Sequence, residues 1–255
     1  MNPKPLLALL ALAALTSPSL AAGELPYLYQ RTGFGTAGLL SVEIESAAGS
    51  REAALFGQGG VEQGLRMRYG LSERITTEIW SGLLIDPEGE RRSAVALESF
   101  VGVLTDPVSL SLGLGFAHDF RDDDVLRFRA TASRAASDWE FSLNNLTELP
   151  LGSDRDKVDI ILGTAIMRGF GERLRAGLEL FGQDLEGFWD PNEAEGGARI
   201  ATGPTLWTRL SDRFELKGNL AAVIQATRNP YYREGVLVQP PDHGFLARVA
   251  LLVDL

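Results

Sequence analysis

The chain has 255 residues, with 24 Lys and Arg against 34 Asp and Glu and a formal net charge of −10. That balance argues against nucleic acid as a partner, because such binding rests on neutralising phosphates with Lys and Arg. There is no cysteine and there are only two histidines, His118 and His243, so disulfides, thiolate metal sites and a cysteine nucleophile are excluded and a histidine-rich metal centre is disfavoured. The 28 glycines suit a turn-rich β chain better than a helical bundle.

The first element is not part of the fold. "MNPKPLLALLALAALTSPSLAAGEL" places Lys4 before an apolar run from Leu6 to Leu15, with Ser19 and Ala21 at the −3 and −1 positions of a cut. This pattern predicts a cleaved secretory signal peptide over residues 1–21; the run is too short to span a bilayer as a helix. The following segment, 22–35, is expected to lie in the periplasm, to plug a lumen or to extend a first strand. The fold proper is expected over 36–255.

From residue 36 onwards the chain alternates with period two. "LSVEI" (40–44) sets Leu40, Val42 and Ile44 against Ser41 and Glu43. "LRMRYGL" (65–71) sets Leu65, Met67, Tyr69 and Leu71 against Arg66 and Arg68. "VSLSLGLGF" (108–116) and "LRFRATA" (126–132) follow the same rule. Successive side chains of a strand point to opposite faces, so alternation of this length predicts strands. Twelve are expected, over 36–47, 60–71, 75–84, 93–104, 108–118, 125–134, 139–147, 158–168, 174–183, 198–210, 214–225 and 244–255. The connections alternate between short turns and longer polar loops.

Strand length separates a soluble sheet from a membrane barrel. These strands run to about 10–13 residues, against a mode of about 5–6 in soluble sheets. A tilted strand needs about 9–11 residues to cross a bilayer. Short turns at one end and longer loops at the other are the pattern of outer-membrane barrels. The fold class expected is therefore all-β: a twelve-stranded antiparallel up-and-down transmembrane β-barrel with short periplasmic turns and longer extracellular loops.

Charge follows the alternation. The polar face carries Arg66, Arg68, Arg127, Arg129, Arg175, Arg199, Arg209, Lys217 and Arg248. It also carries Glu43, Glu45, Glu78, Glu98, Glu140, Asp159, Glu179, Glu215 and Asp254. The apolar face is read as free of charge, as expected if Lys or Arg costs about 2–4 kcal/mol on the lipid side at mid-bilayer. The polar residues, with Trp80, Phe100, Phe181 and Trp207 among them, would then line a neutral lumen. Turns of three residues at 72–74 and 211–213 would set Arg68 opposite Glu78 and Arg209 opposite Glu215. Unlike charges so opposed stabilise pairing by about 0.2–1 kcal/mol. Pro204 cannot donate to a ladder, and a bulge is expected near Gly203–Pro204.

The final strand, "FLARVALLVDL" (245–255), alternates up to the last residue of the sequence. It resembles the C-terminal insertion signal of Gram-negative outer-membrane proteins, although Leu255 stands where an aromatic residue is usual. "YGLSERITTEI" (69–79), "AGLELFGQDLEG" (176–187) and "GPTLWTRLSDRFEL" (204–216) also resemble outer-membrane transporter barrels of the type annotated with the MetA pathway of phenol degradation. The resemblance implies a location in the cell outer membrane and, loosely, transport. It supplies no catalytic or binding residues.

The remaining motifs do not build a site. His118 would suit an acyl hydrolase at the outer rim, but the deacylase-like His-x-Ser needs Ser at 120, where Phe120 stands; a base without a nucleophile activates nothing. His243 lies in the turn-rich "QPPDHGF". "RDDDV" (121–125) lacks the spaced ligands of an EF-hand loop. "GFGER" (169–173) and "GLGF" (113–116) open no helix and hold no phosphate cradle. No enzyme activity, cofactor or metal is expected. The expected partners are outer-membrane lipid and lipopolysaccharide, the assembly machinery through the last strand, and a small solute. The expected function is a narrow channel or transporter for small solutes, apolar or aromatic ones among them. The alternative is a non-conducting barrel with an ion-paired, closed lumen.

Overall fold

A computed structural model of the chain describes residues 36–49, 60–85, 89–120, 123–152, 157–189, 198–227, 231–233, 236–238 and 243–255. The signal peptide expected over 1–21 and the segment 22–35 lie outside the described residues. Twelve long strands form one closed barrel: β1 (Leu40–Gly49), β2 (Gly60–Gly70), β3 (Ile75–Ile85), β4 (Arg91–Leu104), β5 (Ser109–His118), β6 (Asp124–Ala136), β7 (Trp139–Pro150), β8 (Asp159–Phe170), β9 (Leu174–Gln183), β10 (Arg199–Arg209), β11 (Phe214–Gln225) and β14 (His243–Asp254). Two three-residue strands, β12 (Tyr231–Arg233) and β13 (Val236–Val238), form a separate hairpin between β11 and β14.

Every barrel strand pairs antiparallel with its sequence neighbour, and β14 closes the ring on β1 from Ser41–Asp254 to Gly49–Leu246. The connections β2–β3, β4–β5, β6–β7, β8–β9 and β10–β11 take two to four residues and share one end of the barrel. The other end carries the longer connections. One of them, between β9 and β10, contains a 3-10 helix, Leu185–Phe188.

Two of the short turns are built alike. In Leu71–Ile75 the Leu71 amide donates to the Ile75 carbonyl at 2.8 Å, and in Leu210–Phe214 the Leu210 amide donates to the Phe214 carbonyl at 2.8 Å. Ser72 Oγ accepts from the Arg74 amide at 3.3 Å, and Ser211 Oγ accepts from the Arg213 amide at 3.3 Å. A serine hydroxyl that bonds the backbone two residues on is a known turn former. The shared run Leu-Ser-acid-Arg-apolar, "LSERI" at 71–75 and "LSDRF" at 210–214, therefore writes the same turn twice, and the register it sets brings Arg68 opposite Glu78 and Arg209 opposite Glu215.

The alternation divides inside from outside. Along β4, residues 92, 94, 96, 98, 100 and 102 are buried, while 91, 93, 95, 97, 99 and 101 are exposed. The exposed row is apolar over most of the barrel: Val95, Leu97, Leu112, Leu114, Leu178, Leu180, Leu220 and Val249 all face outward. This face is not wholly free of charge, contrary to the expectation from sequence. Arg91, Asp124, Arg134 and Arg168 hold outward positions, each within two residues of a strand end. There an arginine reaches water while its stem covers apolar surface, and Asp124, the first residue of β6, pairs with His118 at the rim. Arg168 stacks at 5.7 Å from the centre of the Trp139 ring and 5.6 Å from that of Phe170, so the charge sits in an aromatic rim.

The bulge expected at Gly203–Pro204 is absent. Thr202 pairs with Ala222 and Thr205 with Asn219, so the β10–β11 register passes through Pro204 without a shift. Two features accommodate the proline. Asn219 Nδ2 donates to the Pro204 carbonyl at 3.2 Å. Gly203 lets β11 approach so closely that a Cβ there would lie 1.9 Å from the Leu220 carbonyl oxygen. The register shift falls instead in β4, between Gly102 and Leu104.

Candidate functional site: the barrel interior

The interior is the one surface of this fold that the sequence makes polar and the structure makes concave. All the residues expected to line it are at inward positions. Arg66, Glu78, Glu98, Arg127, Arg129, Glu140, Asp159, Glu179, Arg199 and Arg248 are buried, and Arg68, Arg175, Arg209, Glu215 and Lys217 are half-buried. Glu43 and Glu45 join them, as do the rings of Trp80, Phe100, Phe181 and Trp207.

The charges are organised into three groups. The first runs across β11, β1, β2 and β3. Lys217 Nζ donates to Glu43 Oε2 at 2.6 Å, Glu43 Oε1 accepts from Arg66, Arg66 pairs with Glu78 at 2.9 Å, and Arg68 pairs with Glu78 at 2.5 Å. β14 lies between Lys217 and Glu43, and the residue it offers beside Lys217 is the small Ala250.

The second group spans β4, β6 and β7. Glu98 accepts from Arg129 Nε at 2.8 Å and from Arg127 Nη1 at 3.2 Å, while Arg127 also donates to Glu148 at 2.7 Å. Here the intervening strand is β5, whose inward residues are Ser111, Gly113, Gly115 and Ala117. The register runs Glu98–Gly115–Arg127 and Phe100–Gly113–Arg129. A Cβ at Gly115 would lie 2.4 Å from Glu98 Cγ. The glycines thus open the path by which charges two strands apart meet.

The third group lies toward the short-turn end. Arg175 pairs with Glu140, Arg175 and Arg209 each sit 5.5 Å from the Trp207 ring centre, and Trp207 Nε1 donates to Glu215 at 2.9 Å. Arg209 reaches Glu215 at 3.6 Å. Above this level one side chain crosses a wide arc of the wall. Arg248 on β14 donates to Glu179 on β9, three strands away, at 2.9 Å and rests 4.5 Å from the Phe181 ring centre.

Toward the long-loop end the interior turns apolar on one side. Phe120, from the β5–β6 connection, turns inward and meets Trp80 edge to face at 5.8 Å, among Leu84, Ala94, Ala96, Ala117 and Val125. Phe120 therefore occupies the place where a hydrolase of the His-x-Ser type would need its serine. His118 stays at the outer-face rim, paired with Asp124 at 3.1 Å.

Some interior residues were not anticipated. Glu62 shares the inward row of Arg66 and was legible from it. Glu148 and Arg92 are inward because β7 and β4 run longer than the alternation was followed. Phe120, Asp184 and Glu186 lie in connections, where no period marks them.

No protein-family model matches the sequence, and no curated protein matches it. Solved structures do. The KdgM porin has a TM-score of 0.59 and 9% identity, over 84% of this chain and 99% of its own. The NanC porin has a TM-score of 0.60 and 9% identity, over 84% and 100%. The COG4313 outer membrane channel from Pseudomonas putida F1 has a TM-score of 0.61 and 8% identity, over 88% and 97%. The chain shares the fold of these porin-like barrels.

Proposed function

We propose that the chain forms a narrow outer-membrane channel for small solutes, with its short turns in the periplasm and its long loops outside. The observation that carries this reading is a closed twelve-stranded barrel with a charged inner face and an apolar outer face. Eight strands leave an interior that side chains fill, and 16–18 leave an aqueous channel, so twelve allow a restricted path. The likeness to porins and an outer-membrane channel supports the same role. Both signs of charge line the wall and are held by one another, so uncharged or zwitterionic solutes suit it better than polyanions. Trp207 and Phe181 are covered by Arg175, Arg209 and Arg248, so an aromatic solute is supported by the resemblance to the MetA-pathway barrels alone.

The test is reconstitution of the purified barrel into planar bilayers. The expected result is a small single-channel conductance with a reversal potential close to zero in a KCl gradient. A silent barrel that also fails to swell solute-loaded liposomes refutes conduction. It favours the second reading, a structural barrel, for which Arg248 bridging from β14 to β9 is the specific support. In either case lipid, lipopolysaccharide and the outer-membrane assembly machinery are the partners of the outer wall and the last strand.

A further inference from the structure

At the short-turn end the outer face carries charge on one side of the barrel only. Arg134 on β6 and Arg168 on β8 both point outward, are exposed, and flank β7. Among the described residues the outward rows of the other strands end there in uncharged side chains, such as Tyr69, Ile75, Val101, Leu174 and Phe214. Arg134 lies opposite Phe141 and Arg168 opposite Trp139, so the two are two strands apart and two residues apart along the wall. At about 4.8 Å between strands and about 3.4 Å per residue, their Cα atoms are about 12 Å apart. Both side chains are long enough to meet one group between them.

Arg168 is already held in place, between the ring of Trp139 at 5.7 Å and that of Phe170 at 5.6 Å. Stacking of this kind fixes where a guanidinium points and leaves its charge in full. No carboxylate neutralises it. Neither arginine has an ion pair among the described residues, and the acids of the adjacent turns, Asp138 and Glu172, lie beyond the strand ends. Toward mid-strand the wall is shaped for a chain. β6 turns Ala130 and Ala132 outward, with Leu112 and Leu110 beside them on β5 and Leu143 on β7. Leu112 and Leu143 stand exposed, and the alanines between them leave a shallow furrow that runs from Arg134 toward the middle of the strand.

We infer that Arg134 and Arg168 form a binding site for the phosphate of an anionic phospholipid in the periplasmic leaflet, with Trp139 and Phe170 at headgroup level and the alanine furrow under an acyl chain. Guanidinium groups take phosphate oxygens with paired donors, and aromatic rings settle at the membrane interface. Clustered cations beside a membrane favour an anionic headgroup over a zwitterionic one. The inference rests on the barrel's lying in the membrane with its short turns in the periplasm, and not on conduction.

Native mass spectrometry tests it, on the barrel refolded in detergent with equal amounts of phosphatidylglycerol and phosphatidylcholine of the same acyl chains. The expected result is one retained lipid, with phosphatidylglycerol favoured about tenfold, the scale set by two arginines beside an anionic headgroup. R134Q/R168Q should bring the two lipids to parity. R91Q, which removes the outward arginine at the opposite end of the barrel, should leave the preference unchanged. Folding of each variant is read from the mobility difference between unheated and boiled samples. If the double variant does not fold, R134Q and R168Q are compared singly, each expected to lower the preference about threefold. Equal retention of the two lipids by the folded wild type overturns the site. So does a preference that survives in the variants, or one that equimolar inorganic phosphate or lipopolysaccharide abolishes. The membrane reading fails separately: a folded barrel that does not float with phosphatidylcholine vesicles refutes it, whereas one that floats and shows no preference loses only the lipid site.

Discussion

Glu98→Gln is the sharpest probe of the interior, because its effect depends on whether the lumen is dry. Glu98 meets Arg129 at 2.8 Å and Arg127 at 3.2 Å, and the side chains of all three are 1–3% exposed. At about 4 Å between charge centres, each attraction is about 4 kcal/mol at an effective dielectric constant of about 20. Desolvation offsets part of this. Removing one member of a buried ion pair nevertheless costs about 3–5 kcal/mol, since the partner charge stays behind. The same substitution in a water-filled lumen, screened like a surface pair, would cost about 0–1 kcal/mol. The assay is equilibrium unfolding in urea of the barrel refolded into lipid vesicles, followed by tryptophan fluorescence. Glu148→Gln serves as the internal comparison, because among the described residues its ion pair is with Arg127. It should destabilise less than Glu98→Gln. If Glu98→Gln changes stability by under about 1 kcal/mol, the reasoning that the charges form a dry network fails.

Other expectations follow from the same geometry. Leu178→Arg puts a charge in the middle of β9 on an outward position that is 63% exposed, and should cost about 2–4 kcal/mol in a bilayer; no loss in the unfolding midpoint would mean that this face does not meet lipid. Gly203→Ala forces a Cβ to within 1.9 Å of the Leu220 carbonyl and should abolish the heat-sensitive folded band on a gel. Gly163→Ala, whose Cβ would meet nothing nearer than 3.9 Å, should fold normally. Glu215→Gln breaks a 3.6 Å pair with Arg209, whose side chain is 41% exposed, and the unfolding midpoint should record a loss of about 1 kcal/mol or less.

The strands and their two faces were legible because one rule, alternation, operates along every one of them. The turn sequences then fixed two pairings, Arg68 with Glu78 and Arg209 with Glu215, since adjacent strands joined by a short turn leave little freedom of register. Longer pairings were not legible. Arg248 and Glu179 are both inward by parity, but parity says nothing about which residues meet across three strands. The roles of Gly113 and Gly115 emerge only once Glu98 and Arg127 are seen on either side of β5. Pro204 looked like a break in the ladder because the compensation comes from a side chain, Asn219, and from the glycine before it. Phe120 and the Asp184–Glu186 turn escaped because connections carry no period. Their positions are set by what the barrel mouth can bury.

The alternation has a consequence for how such a chain travels. Along the strands polar or small residues interleave with the apolar ones, and the mean hydropathy of the whole sequence is +0.00. The barrel strands run to 10–14 residues, shorter than the roughly 19-residue window that identifies a membrane helix. The apolar belt exists only when Leu97, Leu114 and Leu178, far apart in the sequence, come to share one surface. An unfolded thread of this kind can pass a membrane that retains continuous apolar runs. It becomes lipid-seeking when the ring closes.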